Sequence, residues 1–258
     1  MSDAAPSRYF NRRKAIPLLG VEVTPLAAGE VADVVLEHIA SSSPLLVGNL
    51  NLHGVYMFHT DAGFADFCKQ SDLVLIDGAP IAWASRERMT RRVGSTDWLD
   101  ALMPRASGTR ILAIGGTPES SAAAAKHMRE NFPAVRWVAV DGFSCHEPDE
   151  HLRSAISRSQ LILVGMGMPL QERWIIRNRG LLQSKVVANV GGCFDYYAGF
   201  QQLAPRWMGR LGIEWLYRLV RSPSRLAYRY LVEPFRLIGV LTQLHAKTIK
   251  ANLLKINS

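Results

Sequence analysis

Short apolar runs alternate with amphipathic stretches between about residue 44 and residue 192. The runs are nearly continuous, as expected for strands that are buried on both faces of a sheet. The predicted strands are Leu45–Leu50, Leu73–Ile76, Arg110–Ile114, Arg136–Val140, Leu161–Val164 and Lys185–Val190. Helices predicted between them include Pro118–Asn131, Glu150–Ser159 and Gln171–Leu182. This alternation predicts an α/β fold with a mostly parallel, Rossmann-like sheet flanked by helices.

The pattern changes after Gly199, where strand signals end and helical runs interrupted by prolines begin. We therefore predict two domains, an α/β domain over residues 1–200 and a basic amphipathic helical appendage over residues 201–258. Ser222 and Pro223 resemble a helix N-cap followed by a first-turn proline. Several short helices are thus expected in the appendage, with breaks near Ser222 and near Pro234.

The net charge of +8 is confined to the appendage, which carries ten Lys and Arg residues against two glutamates. Four of its arginines fall within about 80° of one helical wheel. They are Arg218, Arg221, Arg225 and Arg229. A localised positive field indicates an anionic partner, which is a membrane surface, a nucleic acid or a phosphorylated substrate.

The cysteines, the longest apolar stretch and the N-terminus bear on where in the cell the protein is expected. Cys68, Cys145 and Cys193 are widely spaced and form no C-x-x-C pair, which favours a reduced cytoplasmic setting with buried thiols. The longest apolar stretch covers only Leu161 to Leu170. A spanning helix needs about 20 apolar residues, so no transmembrane segment is predicted. The polar, basic N-terminus is not expected to be a secretory signal.

Polar residues follow the predicted strands at the edge where α/β sheets bind ligands. Asn49 and Asn51 can hydrogen-bond a sugar or nucleotide, or can cap a turn. Asp77 follows a buried strand and suits a general base, or the N-cap of the next helix. Arg92 can hold a phosphate, or can form a structural pair with Asp97. The sequence leaves these alternatives open.

Glycine-rich turns follow three other strands and predict close backbone approach to a ligand, such as an anion. These candidate ligand-binding residues are Gly115, Gly116, Gly165, Gly167, Gly191 and Gly192. The third glycine of a G-x-G-x-x-G dinucleotide fingerprint is replaced by Leu170, so a nicotinamide cofactor is not favoured. The sequence has neither an H-E-x-x-H motif nor a D-x-D pair, and we predict no metal and no cofactor.

Several blocks together resemble the WecG/TagA/CpsF glycosyltransferases, which build lipid-linked precursors of bacterial surface polysaccharides. The blocks are "NLN", "DG", "RVGSTD", "GMGMPLQE", "VGGCFDYYAG" and "APRWMGRLGIEWLYRL". They keep the family order and cover most of residues 45–230.

The resemblance implies an inverting transferase that moves a sugar from a UDP donor to a polyprenyl-diphosphate-linked sugar. In the family the aspartate of "DG" is the proposed base, which matches Asp77. The family's other catalytic positions match Asn51, Arg92 and Gln171, and Gln171 is also expected to contact the donor, together with Asn49 and the glycines. The arginines expected to bind the acceptor diphosphate match Arg218 and Arg225.

Three positions depart from the family pattern. Asn49 stands where threonine is common, Leu170 replaces a lysine, and Tyr228 replaces an expected arginine for which Arg229 is the candidate substitute. The first two departures favour the exopolysaccharide branch of the family. UDP-glucose is therefore the favoured donor, with UDP-N-acetylmannosamine or its uronic form as the other choices.

The basic appendage is expected to dock on the anionic cytoplasmic face of the bacterial inner membrane as a peripheral element, since a polyprenyl-linked acceptor cannot leave the bilayer. The other interpretation is a helical subdomain that packs on the core and presents its arginines to solvent. Two further function classes are a nicotinamide-dependent sugar dehydrogenase and a nucleic-acid-binding module. The incomplete fingerprint argues against the first, and the lack of a recognisable binding motif argues against nucleic acid as a partner.

Overall fold

The computed structural model describes residues 9–145 and 147–256, without the side chains at positions 206, 210, 225, 248 and 250–256. Within this part the chain forms a six-stranded parallel sheet flanked by helices, together with a two-stranded antiparallel hairpin. The α/β class with a mostly parallel sheet and C-terminal helices, predicted from the sequence, is therefore confirmed.

The strands are β1 (Lys14–Ile16), β2 (Val21–Val23), β3 (Leu45–Leu50), β4 (Leu73–Ile76), β5 (Arg110–Gly115), β6 (Arg136–Val140), β7 (Leu161–Gly165) and β8 (Val186–Asn189). The helices of the first 200 residues are α1 (Ala28–Ser41), α2 (Leu52–Thr60), α3 (Ala62–Gln70), α4 (Ala79–Ala84), α5 (Ser95–Leu102), α6 (Pro118–Asn131), α7 (Glu150–Arg158), α8 (Leu170–Arg177), α9 (Arg179–Leu182) and α10 (Cys193–Tyr197). The C-terminal helices are α11 (Arg206–Leu211), α12 (Glu214–Arg221), α13 (Pro223–Ala227) and α14 (Glu233–Ile256). The six predicted strands agree with the sheet to within one residue at each end.

The sheet has the strand order β4-β3-β8-β7-β5-β6, and all of its neighbours are parallel. Successive residues of a strand point to opposite faces. In β5, Ile111 and Ala113 join one hydrophobic cluster, whereas Leu112 and Ile114 join the cluster on the other face. Burial on both faces explains why the strands appear in the sequence as uninterrupted apolar runs.

The register of the sheet brings the strand ends together in pairs. Leu50 of β3 pairs with Ile76 of β4, so the residues that follow them, Asn51 and Asp77, emerge side by side. Gly115 of β5 likewise pairs with Gly165 of β7. The two pairs lie on the same edge of the sheet, because all six strands run in one direction.

One helix predicted as continuous, Gln171–Leu182, is divided into α8 and α9 at Asn178. The Asn178 backbone N–H and its side-chain amide both donate to the carbonyl of Trp174. A side chain that bonds to the backbone in this way competes with continuation of the helix.

The C-terminal segment is only partly as expected. The predicted break at Ser222 is present, because α12 ends at Arg221 and α13 begins at Pro223. The break predicted near Pro234 is absent, since a π-helical turn over Tyr228–Val232 leads directly into α14. In this turn the Glu233 N–H donates to the Tyr228 carbonyl. The wider turn accommodates a proline that would otherwise clash with the carbonyl four residues before it.

The three cysteines lie in the core of the protein. All three cysteines are buried and free, and burial raises the pKa of Cys68 to about 12 and that of Cys145 to about 11. These thiols are therefore protonated at neutral pH, as expected for inert core residues.

Within the described residues, no helix has both the length and the apolar character needed to cross a membrane.

Candidate functional site

A cleft of about 240 Å³ lies where the ends of β3 and β4 face the C-terminal helices. It gathers five of the residues singled out from the sequence, namely Asn51, Asp77, Arg92, Arg218 and Arg229. The first three belong to the α/β part, whereas the two arginines come from α12 and the π-helical turn. The cleft is therefore built jointly by the two predicted domains.

Asn51 and Asp77 form the floor of the cleft. The Asn51 amide Nδ2 donates to Asp77 Oδ2 over 3.3 Å, and Asn51 Oδ1 accepts from the Gly54 N–H over 3.0 Å. Asn51 thus caps α2 and also contacts the aspartate. The N-cap of α4 is Gly78, which makes no side-chain capping bond. The interpretation of Asp77 as a helix cap is therefore wrong, and its carboxylate faces the cleft.

Arg92 pairs with a glutamate of the C-terminal segment. Its Nη1 lies 2.9 Å from Glu214 Oε2, while Arg218 Nη2 lies 2.7 Å from Glu214 Oε1. The alternative of a structural pair between Arg92 and Asp97 is wrong, because Asp97 caps α5 by accepting from the Gly94 N–H. Burial raises the pKa of Asp97, although the hydrogen bond from the Gly94 N–H and the charge of Arg92 act in the opposite direction.

Arg229 reaches the floor from the π-helical turn, where its Nη2 donates to Asn51 Oδ1 over 3.1 Å. Burial lowers the pKa of Arg229 from its usual value. Burial also opposes the charged form of Arg218, but Tyr196, Glu214 and Asp77 outweigh it and raise the pKa of Arg218. Both arginines are therefore substantially buried, and both lie close enough to Asp77 for its charge to favour their protonated forms.

The other two arginines of the predicted basic face do not enter this arrangement. Arg221 bonds to Gln202 over 2.8 Å and lies over the Tyr217 ring, outside the lining of the cleft. The side chain of Arg225, a candidate for the acceptor diphosphate, lies outside the described part of the structure.

A second contact ties the C-terminal segment to the sheet edge. His53 Nδ1 lies 2.7 Å from Glu233 Oε1, and Glu233 is buried at the start of α14. Leu226 and Leu237 from the same segment are also buried. The helices therefore pack on the core, while Arg218 and Arg229 face the cleft.

The six predicted donor-binding glycines lie outside the lining of the cleft. An added Cβ would lie 3.2 Å from Ser120 Oγ at Gly116 and no closer than 3.8 Å to its neighbours at Gly192, and the other four glycines are of two kinds. At Gly115, whose φ is +143°, an added Cβ would lie 2.1 Å from the Gly165 carbonyl oxygen, and at Gly165 it would lie 2.7 Å from the Gly191 carbonyl oxygen. Packing between the neighbouring strand ends β5, β7 and β8 therefore requires these two glycines. Gly167 and Gly191 have positive φ with nothing within 4 Å of such a Cβ. They leave room for a ligand.

The other two predicted donor residues, Asn49 and Gln171, are buried in an internal polar network. Asn49 Nδ2 donates to the Asn189 carbonyl and side-chain oxygens. Gln171 Nε2 donates to Glu172 Oε1 over 2.6 Å, and Gln171 Oε1 accepts from the Gly191 N–H over 3.1 Å. The expectation of direct ligand contact does not match this placement, because both side chains are occupied inside the protein.

Glu172 is the centre of this network. Its Oε1 accepts from both Gln171 and Asn189, whereas its buried Oε2 has no hydrogen-bond partner within the described residues. Burial raises the pKa of Glu172 to about 7, although the bonds from Asn189 and Gln171 act in the opposite direction. A proton on Oε2 would supply a donor, and Asn49 Oδ1 is likewise a buried acceptor without a partner in this part of the chain.

No group of three or more His, Cys, Asp or Glu side chains in the described ranges is placed to hold a metal ion. The cleft offers the Asp77 carboxylate, which forms no ion pair with a described residue, beside the Asn51 amide and three guanidinium groups. This combination suits proton removal next to an anion such as a diphosphate.

Comparison with known proteins identifies the family. The model of the glycosyl transferase WecG/TagA/CpsF family matches residues 16–250. The chain belongs to this glycosyltransferase family. The resemblance predicted from the sequence motifs is thereby confirmed.

A curated relative is similar over much of its length. It is the N-acetylglucosaminyldiphosphoundecaprenol N-acetyl-beta-D-mannosaminyltransferase of Staphylococcus aureus (strain MRSA252). The two chains are 25% identical over 194 residues, which cover 73% of each.

Sequence reasoning missed three glutamates of this glycosyltransferase. Glu214 and Glu233 are the two acidic residues of the basic segment 201–258, and each pairs with the core. Two acidic residues among ten basic ones in this segment could have indicated specific ion pairs. Glu172 follows Gln171 in the "PLQE" block, and a charged residue beside buried positions would have indicated the internal network.

Proposed function

We propose that this family member is an inverting glycosyltransferase that moves a sugar from a UDP donor to a polyprenyl-diphosphate-linked sugar. The observation that carries the proposal is the shared cleft, in which Asp77 of the sheet edge faces Arg218 and Arg229 of the C-terminal helices. One side supplies a base, and the other supplies cations for an anionic acceptor.

Asp77 is the general base of this mechanism. It removes the proton from the acceptor hydroxyl, which attacks the anomeric carbon from the face opposite UDP and inverts its configuration. Asn51 holds the carboxylate through its 3.3 Å hydrogen bond. The absence of a side-chain cap on α4 leaves Asp77 available for this role.

Arg92 is proposed to offset the negative charge that develops on the departing UDP. Gln171 is proposed to act on the donor through Gly191, because its amide oxygen holds the N–H of that turn. The open, positive-φ turns at Gly167 and Gly191 are the favoured places for the donor diphosphate. These glycines and Gly192 lie on the same sheet edge as the cleft, since they follow parallel strands.

The donor sugar is proposed to be N-acetylmannosamine, carried as its UDP derivative. The name of the S. aureus relative favours this sugar over glucose. The sequence departures that favour UDP-glucose are Asn49 and Leu170. Asn49 is buried against Asn189, and Leu170 is exposed at the start of α8 outside the cleft. Neither position supports a choice between the two sugars.

The acceptor is proposed to be a lipid-linked N-acetylglucosamine diphosphate, as in the name of the relative. Residues 201–258 would then form the acceptor-binding and membrane-docking domain, at the cytoplasmic face of the bacterial inner membrane. Its helices expose large apolar side chains, including Leu216, Val220, Leu231, Phe235, Ile238 and Ile249. Apolar side chains beside a net positive charge are typical of helices that lie in an anionic membrane surface.

The test is an assay of UDP release with a panel of UDP-sugars and a short-chain prenyl-diphosphate-linked N-acetylglucosamine. The proposal predicts that UDP-N-acetylmannosamine gives acceptor-dependent release. Release with UDP-glucose alone would change the donor and keep the reaction class. No acceptor-dependent release with any UDP-sugar would contradict the proposed function. Membership of this family does not favour the dehydrogenase or nucleic-acid alternatives.

A further inference from the structure

One carboxylate stands between the two arginines that the proposed function assigns to different diphosphates. Glu214 contacts Arg92, proposed for the donor, and Arg218, proposed for the acceptor. Each contact is a single hydrogen bond to a different carboxylate oxygen. A guanidinium has five N–H groups, so both arginines keep donors for other anions.

Glu214 is held in this place by the close packing of its backbone. Gly212, which precedes α12, has a φ of +73°, and an added Cβ would lie 2.6 Å from the Trp83 ring and 2.9 Å from Ala79. In α11, an added Cβ at Gly209 would lie 3.1 Å from Arg92 Nη2. The turn therefore fits tightly against α4 and Arg92, which argues against a carboxylate that swings away from the two cations.

Without this carboxylate neither guanidinium group would keep an ion pair among the described residues. A single diphosphate is able to bridge two such groups, since guanidinium and phosphate pair readily through several hydrogen bonds. A bridging diphosphate would occupy the donor and acceptor positions together and would prevent the reaction.

We infer that Glu214 is a specificity-determining residue that divides one cationic cluster into two anion subsites. Arg92 serves the donor diphosphate, and Arg218 serves the acceptor diphosphate. This inference rests on the proposed function for the assignment of the two subsites. It goes beyond that function in assigning Glu214 the task of keeping one diphosphate from binding both.

The experiment measures binding of inorganic pyrophosphate to the full-length protein by calorimetry. Glu214→Gln is nearly isosteric and removes the charge, and Glu214→Ala removes the whole carboxylate group. Both variants are expected to bind pyrophosphate at least tenfold more tightly than the unmodified protein. The gain should be lost when either Arg92→Gln or Arg218→Gln is added, because the new site needs both arginines.

Glu87 provides a matched control. It also contacts two cations, Lys14 and Arg91, and its side chain is 18% exposed, compared with 20% for Glu214. Glu87→Gln should leave pyrophosphate affinity unchanged, because Glu87 is not part of the cleft.

Two results would overturn the inference. One is unchanged or weaker pyrophosphate binding by both folded Glu214 variants. The other is a gain in affinity that persists after one arginine is removed, since that reports a general charge effect and not a bridged site. Thermal unfolding confirms that the variants are folded. Calorimetry requires no turnover, so these outcomes are separate from failure of the UDP-release assay, which concerns the proposed function.

Discussion

The two halves of the sheet edge use their polar groups differently. At the β3–β4 half, Asn51 and Asp77 face a cleft that needs the C-terminal helices to complete it. At the β5–β7–β8 half, glycines pack against neighbouring strand ends, and Gln171 bonds to Glu172 and Gly191. Residues with similar motif signals thus have different surroundings. The side chains of Asn51 and Asp77 face the cleft, whereas Gly115 and Gly165 are required for packing and Gln171 is occupied inside the protein.

The largest expected effect comes from removing Asp77, the proposed base at the β3–β4 half. Asp77→Asn should lower kcat by roughly 10²–10⁴, the usual contribution of general base catalysis, and should leave UDP affinity unchanged. Turnover by UDP release and UDP binding by calorimetry check this. Asp33→Asn, which removes a carboxylate paired with Arg105 away from the cleft, is the control. Activity retained by Asp77→Asn would remove Asp77 from the mechanism.

Gly115, at the β5–β7–β8 half, should affect stability more than turnover. Gly115→Ala places a Cβ against the Gly165 carbonyl, so we expect about 3 kcal/mol of destabilisation, the upper end of the usual cost of overpacking. Gly108→Ala is the control, because Gly108 also has positive φ but nothing within 4 Å of its Cβ. It should cost only about 1–2 kcal/mol of backbone strain. Equal free energies of unfolding in urea for Gly115→Ala and Gly108→Ala would contradict the close contact at Gly115.

The buried polar network around Glu172, at the β5–β7–β8 half, should make stability depend on pH. The pKa of Glu172 is raised to about 7 in the folded protein, so its proton stabilises the fold below the unfolded value of 4.5. This contribution is lost as pH rises through about 7, which amounts to roughly 2 kcal/mol between pH 5 and pH 8.

Glu172→Gln tests this linkage, since glutamine stays neutral at every pH. As pH rises from 5 to 8, the unfolding free energy of the unmodified protein should fall relative to that of Glu172→Gln. A difference that stays constant from pH 5 to pH 8 would show that Glu172 is ionised throughout.

A smaller effect is expected on membrane binding, where an exposed apolar residue of the C-terminal helices is compared with one elsewhere on the surface. Phe235 on α14 is 74% exposed, and Phe143 in the turn after β6 is 70% exposed. If the helices dock on a membrane, Phe235→Ser should lower binding to anionic phosphatidylglycerol vesicles about tenfold, from the loss of buried apolar area. Phe143→Ser should leave binding unchanged in a vesicle sedimentation assay. Equal effects of the two changes would contradict docking through α14.

Local patterns predicted the sheet well, because its strands are buried on both faces and stand out as apolar runs. The register that places Asp77 beside Asn51 follows from parallel strands with adjacent ends. The contacts of Arg229 and Glu214 were not predictable in the same way, since they join residues 178 and 122 positions apart. The occupation of Asn49 and Gln171 depends on their partners Asn189 and Glu172, which no single motif identifies.

The central claim is that the C-terminal helices place acceptor-binding cations over Asp77. The most direct test compares Arg229→Gln with Arg221→Gln, because Arg229 contacts Asn51 whereas Arg221 bonds to Gln202 outside the cleft. The claim predicts that Arg229→Gln raises KM for the prenyl-diphosphate-linked acceptor about tenfold or more, as for a lost charge-assisted hydrogen bond, with UDP affinity unchanged. Arg221→Gln should keep the unmodified KM. Equal acceptor KM values for both variants and the unmodified protein would contradict it.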